Sequence, residues 1–211
     1  MTRIAINRRT LLGAALLAVG GMPRPAGAAD ASVVVAPIQQ LCDALLAAMR
    51  EGQGVPFEQR FNQLAPAVEK ALDLETILQV SVGPIWGMLP TDQKTLLEAS
   101  FRRYTVASYV NSFDKYTGQR FEVSPDLRAL PNGEQEVSTR IIPRNGDPHL
   151  LDYVMRQGAD GWRAVDVLLD GTISRVAVQR SDFRSLLNRG GAAALAKSLQ
   201  EKTVDLSGGA S

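Results

Sequence analysis

The sequence predicts an α+β domain, an antiparallel four-stranded sheet covered on one face by several helices, and two observations carry that prediction. Up to about Tyr116 the apolar residues recur at helix spacing; from Gly118 onward the period falls to two. Short turn-rich links then join the period-two segments, so consecutive antiparallel hairpins are the simplest connection. A sheet with one apolar face needs helices over it.

The chain of 211 residues begins with what reads as a leader. Arg3, Arg8 and Arg9 form a basic start, Leu11 to Val19 an apolar run, and Ala26-Gly27-Ala28 a small-x-small cleavage pattern. The run is about half the roughly 20 residues that span a bilayer. Residues 1–29 are therefore expected to be a signal peptide, cut near Ala28 or Ala29, and 30–211 a single exported domain. The NRRTLL stretch, with Arg24 behind it, resembles a twin-arginine signal that lacks the usual Phe and Lys. An ordinary secretory start with two arginines is the alternative. Cys is absent from the cleavage region, so no lipid anchor is encoded there. A bacterial periplasm is the expected destination.

The segment before Asp30 holds four arginines and no acid, which leaves the rest with 19 basic and 22 acidic residues, a net of −3. That balance offers no basic stripe for phosphates and argues against nucleic acid as a partner. Cys42 is the single cysteine, so packing rather than a disulfide must hold the fold.

Residues 30–117 form the helical part. In PIQQLCDALLAAMR, Pro37 suits a first helical turn, and Ile38, Leu41, Cys42, Leu45, Leu46 and Met49 share a face, which makes Cys42 a buried structural thiol. Gly52 to Gly54 break this helix. A second starts near Pro56, and a third covers DLETILQV with Asp73 as its cap. Gly83 to Met88 interrupt the pattern. Thr91 is the expected cap of a long helix from Asp92 to about Tyr116, carrying Leu97, Phe101, Tyr104 and Phe113. Such aromatics read as core, with a cavity lining as the alternative.

Residues 118–170 hold the strands RFEVS, EQEVSTRII, HLLDYVMRQ and WRAVDVLL. Phe121, Val123, Val137, Thr139, Ile141, Leu151, Tyr153, Met155, Val165, Val167 and Leu169 alternate onto one face. Glu122, Glu136, Arg140, Asp152, Arg156, Arg163 and Asp166 alternate onto the other. In 171–205, one helix capped at Ser181 runs through Asn188 and another covers AAALAKSLQEKT.

No enzyme constellation emerges. Ser112 and Lys115 match Ser-x-x-Lys, but the partner motifs are missing and the chain is too short for that fold. No nucleophile elbow is present. His149, beside Pro148, reads as a solvent-facing turn residue. One His and one Cys cannot make a metal set, and no cofactor motif occurs. Asp152 and Asp166 fall on the outward face and are expected to be solvated or paired with Arg156 and Arg163.

The Pro-Thr-Asp-Gln helix start, YTGQRFEV, and above all LDYVMRQGADGWRAVDVLLDGTISRVAVQRSDFRSLL resemble the MlaC family, periplasmic phospholipid-carrying proteins also called toluene-tolerance auxiliary components. LLDGTISRVAVQRSDF is similar to the hopanoid-associated HpnM branch. The resemblance implies a nuclear-transport-factor-like carrier that holds a phospholipid or hopanoid between sheet and helices. It also implies an inner-membrane ABC transporter complex as partner and a lipid donor or acceptor at the outer membrane. Asp170-Gly171 is then a structural turn. Expected lipid-binding residues are Trp86, Phe101, Tyr104 and Tyr109 with Phe121, Val123, Ile141, Leu151, Tyr153, Met155, Val165, Val167 and Leu169 of the sheet. A ligand-free periplasmic adaptor is the alternative function.

Overall fold

The computed structural model describes residues 27–208, with side chains from Ala31 onward; the expected leader lies outside these residues except for Gly27 to Ala29, which open the first helix. Helix α1 spans Gly27–Glu51, α2 Phe57–Ala71, α3 Leu74–Val82 and α4 Thr91–Ser112. Strands β1 (Arg120–Ala129), β2 (Gln135–Ile142), β3 (His149–Gly158), β4 (Gly161–Leu169) and β5 (Ile173–Ser174) follow, and α5 covers Arg175–Leu206.

The sheet has five antiparallel strands in sequence order, one more than expected. The addition is short: after β4 the chain reverses through Asp170 and Gly171, both at positive φ (50° and 70°), closed by a bond from Thr172 N to Leu169 O of 3.1 Å. Positive φ at both central residues is the hairpin-turn pattern that Asp-Gly favours. Ile173 then pairs with Leu169 and Ser174 with Leu168. The turn brings Ser174 over β4 to cap α5, its hydroxyl accepting from Ala177 N at 2.9 Å. The last helix therefore starts at Arg175, not at Ser181. Its two expected halves meet at Gly190 and Gly191, where the backbone leaves helical angles and Gly191 sits at φ 63°.

Helix α1 also starts earlier than Pro37 implies, and Pro37 lies inside it. The missing N–H forfeits only the bond to the carbonyl of Val33, whose side chain is exposed, while Val34, Ile38, Leu41 and Leu45 are buried on the other side. The stretch Ala31–Gly54 is long and apolar enough to cross a membrane by length and composition. Here its apolar residues pack over β1, β2 and β4. Asp73 caps α3 as expected, accepting from Thr76 N at 3.1 Å. For α4 the cap position falls to Pro90, with Thr91 as the first helical residue, and the helix ends at Ser112.

Two irregularities decide which side chains face inward. Strand β1 runs on through Pro125 because the register slips between Val123 and Leu127, and an edge strand tolerates proline at such a bulge. In β4 the partners of Val154 and Met155 are Asp166 and Ala164, which leaves Val165 as the extra residue. Ala164 therefore takes the inward place beside Met155, both fully buried, and Val165 falls outside the main core cluster. The bulge also frees the Ala164 carbonyl to accept from Asp73 N at 2.9 Å, which docks the α2–α3 junction onto the sheet.

The expected outward pairs differ as well. Arg156 bonds Glu134 and Arg163 bonds Asp160. Asp152 is buried, held by the Ser138 hydroxyl. Asp166 accepts from Val167 N, from Val176 N at 3.1 Å and from the Ser174 hydroxyl. The turn at Asp170-Gly171 folds the start of α5 back over β4 and gives that carboxylate its partners.

Candidate functional site

Packing of helices on the sheet is incomplete at one end. A cavity of about 350 Å³ remains there, predominantly apolar, at the lower end of the roughly 300–1,000 Å³ of ligand pockets. Its floor is the sheet: Ile141 from β2, Leu151 and Tyr153 from β3, Val167 and Leu169 from β4. These are inward positions two residues apart on adjacent strands, with Leu151 opposite Leu169 and Tyr153 opposite Val167. Helix α4 forms the roof through Phe101, Tyr104, Thr105, Ser108, Tyr109, Ser112 and Phe113. Leu72, Leu74 and Ile77 close the side at the α2–α3 junction, and Arg175, Val176 and Gln179 of α5 close the other. His149 and Asp166 complete the lining.

Aromatic stacking fixes the roof. Tyr109 and Phe113 stack with centroids 6.1 Å apart, and Phe121 of β1 supports Phe113 from behind at 5.9 Å. Phe183 of α5 meets Phe101 edge-on at 6.2 Å. Such pairs hold the walls apart as rigid plates and keep the space open. Two hydroxyls face each other inside, Tyr153 donating to Tyr109. Burial pushes the Tyr109 phenol up to about 12 and Tyr153 well above its ordinary value, so both are neutral donors at physiological pH. Cys42, behind this wall, is also pushed up to about 12 by burial, consistent with an inert structural thiol. Among the described residues no group of His, Cys, Asp and Glu is placed to hold a metal ion.

Of the residues named from sequence, the cavity brings together Phe101, Tyr104, Tyr109, Ile141, Leu151, Tyr153, Val167 and Leu169. Five lie elsewhere. Trp86 sits on the Gly83–Met88 turn with the Lys94 ammonium 5.9 Å from its ring centroid. Phe121 and Val123 pack partly buried against the core, Met155 is fully buried core, and Val165 is the bulge residue. His149 is exposed, as expected of a turn residue, yet it stands at the rim of the cavity.

The lining residues that sequence reasoning missed are of two kinds. Thr105, Ser108 and Ser112 follow Phe101 at steps of four, three and four, so the α4 periodicity could have placed them on the same face. Arg175, Val176 and Gln179 were hidden because the helix start was read six residues late.

A helix-covered antiparallel sheet that keeps an apolar cavity between its layers defines an α+β domain built to enclose a hydrophobic guest. More specifically, the chain belongs to the MlaC family: the model of that family, MlaC protein, matches residues 39–201. Among solved structures, it is similar to a phospholipid-binding protein from Ralstonia solanacearum, solved in complex with a phospholipid. The two share 20% identity and superpose with a TM-score of 0.70 over 82% of this chain and 98% of that one. That likeness shows a shared fold. No curated protein matches the chain by sequence.

Proposed function

We propose that this protein is a non-catalytic periplasmic lipid carrier, of nuclear-transport-factor-like architecture, that holds acyl chains in the cavity between the sheet and α4. The carrying observation is the cavity itself, an open apolar space where a domain of this size would otherwise pack solid. Family membership and the lipid-bound state of the Ralstonia protein support the same reading. The energetics suit it. Moving a sixteen-carbon chain from a bilayer into water costs about 12 kcal/mol, at roughly 0.8 kcal/mol per methylene. A dry apolar slot removes much of that cost without any bond being made or broken.

Residues 1–29 would direct export, and the carrier would exchange lipid with an inner-membrane ABC transporter complex and a donor or acceptor at the outer membrane. The LLDGTISRVAVQRSDF segment places it with the hopanoid-associated branch, so hopanoid is the second cargo to test. The deciding experiment is native mass spectrometry of the protein purified from the periplasm. A co-purifying phospholipid or hopanoid is expected. Lipid-free protein that also takes nothing from liposomes would favour the adaptor alternative, and consumption of a bound lipid with release of product would make it an enzyme.

A further inference from the structure

The apolar cavity continues into a second, more open hollow lined by Tyr104, Ser108, Ser112, Arg175, Lys202 and Asp205. Four of these residues, Tyr104, Ser108, Ser112 and Arg175, line both spaces. Arg175 and Lys202 are exposed and neither forms an ion pair among the described residues. The Lys202 ammonium rests 6.0 Å from the Tyr104 ring centroid, which orients it along the rim. Inside the boundary, Thr105 Oγ1 is buried with no hydrogen-bond partner among the described residues. Tyr109 accepts from Tyr153, which leaves its own proton to donate.

A hydrocarbon chain needs none of these groups. They call for a ligand whose apolar part ends in oxygen acceptors and negative charge at this boundary. The Arg175 guanidinium can grip two phosphate oxygens at once, and Lys202 adds a point charge. Hydroxyls of Thr105 and Tyr109 stand on the cavity side, where the ester oxygens of a glycerolipid would follow its phosphate. Asp205 shares the rim, so the hollow carries a single net positive charge and suits a monoanionic phosphodiester better than a dianionic phosphate. We propose that the Arg175–Lys202 hollow holds the phosphodiester of a lipid whose chains fill the cavity. The assignment rests on the carrier reading and narrows it from apolar guests in general to phospholipids.

The test offers the delipidated protein equal amounts of phosphatidylglycerol and diacylglycerol with identical chains and weighs the complexes by native mass spectrometry. Wild-type protein should favour phosphatidylglycerol by roughly tenfold or more, the scale of charge-assisted hydrogen bonds. Arg175→Gln combined with Lys202→Gln should bring phosphatidylglycerol loading down to the diacylglycerol level while diacylglycerol loading stays unchanged. Both side chains are exposed, so an unaltered melting curve is expected. Equal loading by wild-type protein, or a double variant that keeps the preference, overturns the headgroup assignment and leaves the carrier standing. Loading of neither lipid sinks both. Saturable binding of inorganic phosphate to the lipid-free protein would make the hollow a free-phosphate site and also overturn the assignment.

Discussion

At the scale of single residues, burial rather than sequence neighbourhood sets the chemistry. Cys42, with its thiol pushed up to about 12, should not react with a disulfide reagent at pH 8 in the folded protein and should react at once in denaturant. Fast labelling of native protein would show that α1 opens away from the sheet. Asp152 is the informative carboxylate. Burial raises its pKa above the ordinary 3.8, opposed by the Ser138 hydrogen bond and reinforced by nearby Glu136. Ionising it therefore costs more in the folded state than in the unfolded one, and the protein loses stability as pH climbs through that window. Asp152→Asn carries no charge and escapes the loss. Its melting temperature relative to wild type should rise from below about pH 4 toward neutrality and then level off. A difference independent of pH would show that the carboxylate ionises as freely folded as unfolded.

At the scale of elements, the junction from β4 to α5 connects the sheet to the cavity wall. Asp166 ties three groups there, the amides of Val167 and Val176 and the hydroxyl of Ser174. Asp166→Ala strands these donors and should cost about 1–3 kcal/mol in urea unfolding. Gly171 is under a second constraint: at φ 70° a side chain is strained, and an added Cβ would lie 3.2 Å from Asp152 Oδ2. Gly171→Ala should therefore destabilise by about 1 kcal/mol or more, whereas Thr172→Ala, at an exposed position, should change little. An unmoved midpoint for Gly171→Ala would mean that the turn relaxes and does not fix the entry of α5. Much of this element order is legible in the residues, since helix spacing, Asp-Gly and Pro-Asn-Gly act locally. The β4 bulge is not, because an extra residue at Val165 becomes favourable only when the Ala164 carbonyl finds Asp73 across the core.

At the scale of the whole molecule, the question is which apolar residues fill the core and which line space. Val167 and Met155 lie on the same inward face, yet Val167 borders the cavity and Met155 is fully enclosed. Val167→Phe should occupy the void, leave the melting temperature of delipidated protein nearly unchanged and abolish lipid loading. Met155→Phe has no space to enter and should cost about 1–3 kcal/mol through strain. The pair is measured by calorimetry on lipid-free samples, followed by uptake from liposomes. Equal destabilisation by both would place Val167 in a packed core and remove the cavity from the account of lipid binding.

By itself the sequence determined what acts over a few residues: the switch from helical to two-residue period, the Asp73 cap, the Asp170-Gly171 turn, and the apolar face that a sheet must cover. It also held the MlaC resemblance in LDYVMRQGADGWRAVDVLLDGTISRVAVQRSDFRSLL, which the family match over 39–201 shares. Only the tertiary structure decided that Val165 leaves the inward alternation, that Asp166 caps a helix, and that Arg175 reaches the mouth of a cavity. The physical reason is that periodicity reports which side of an element is apolar, whereas a void is the space that opposing faces fail to fill. That quantity exists only once α4 and α5 have been set over the sheet.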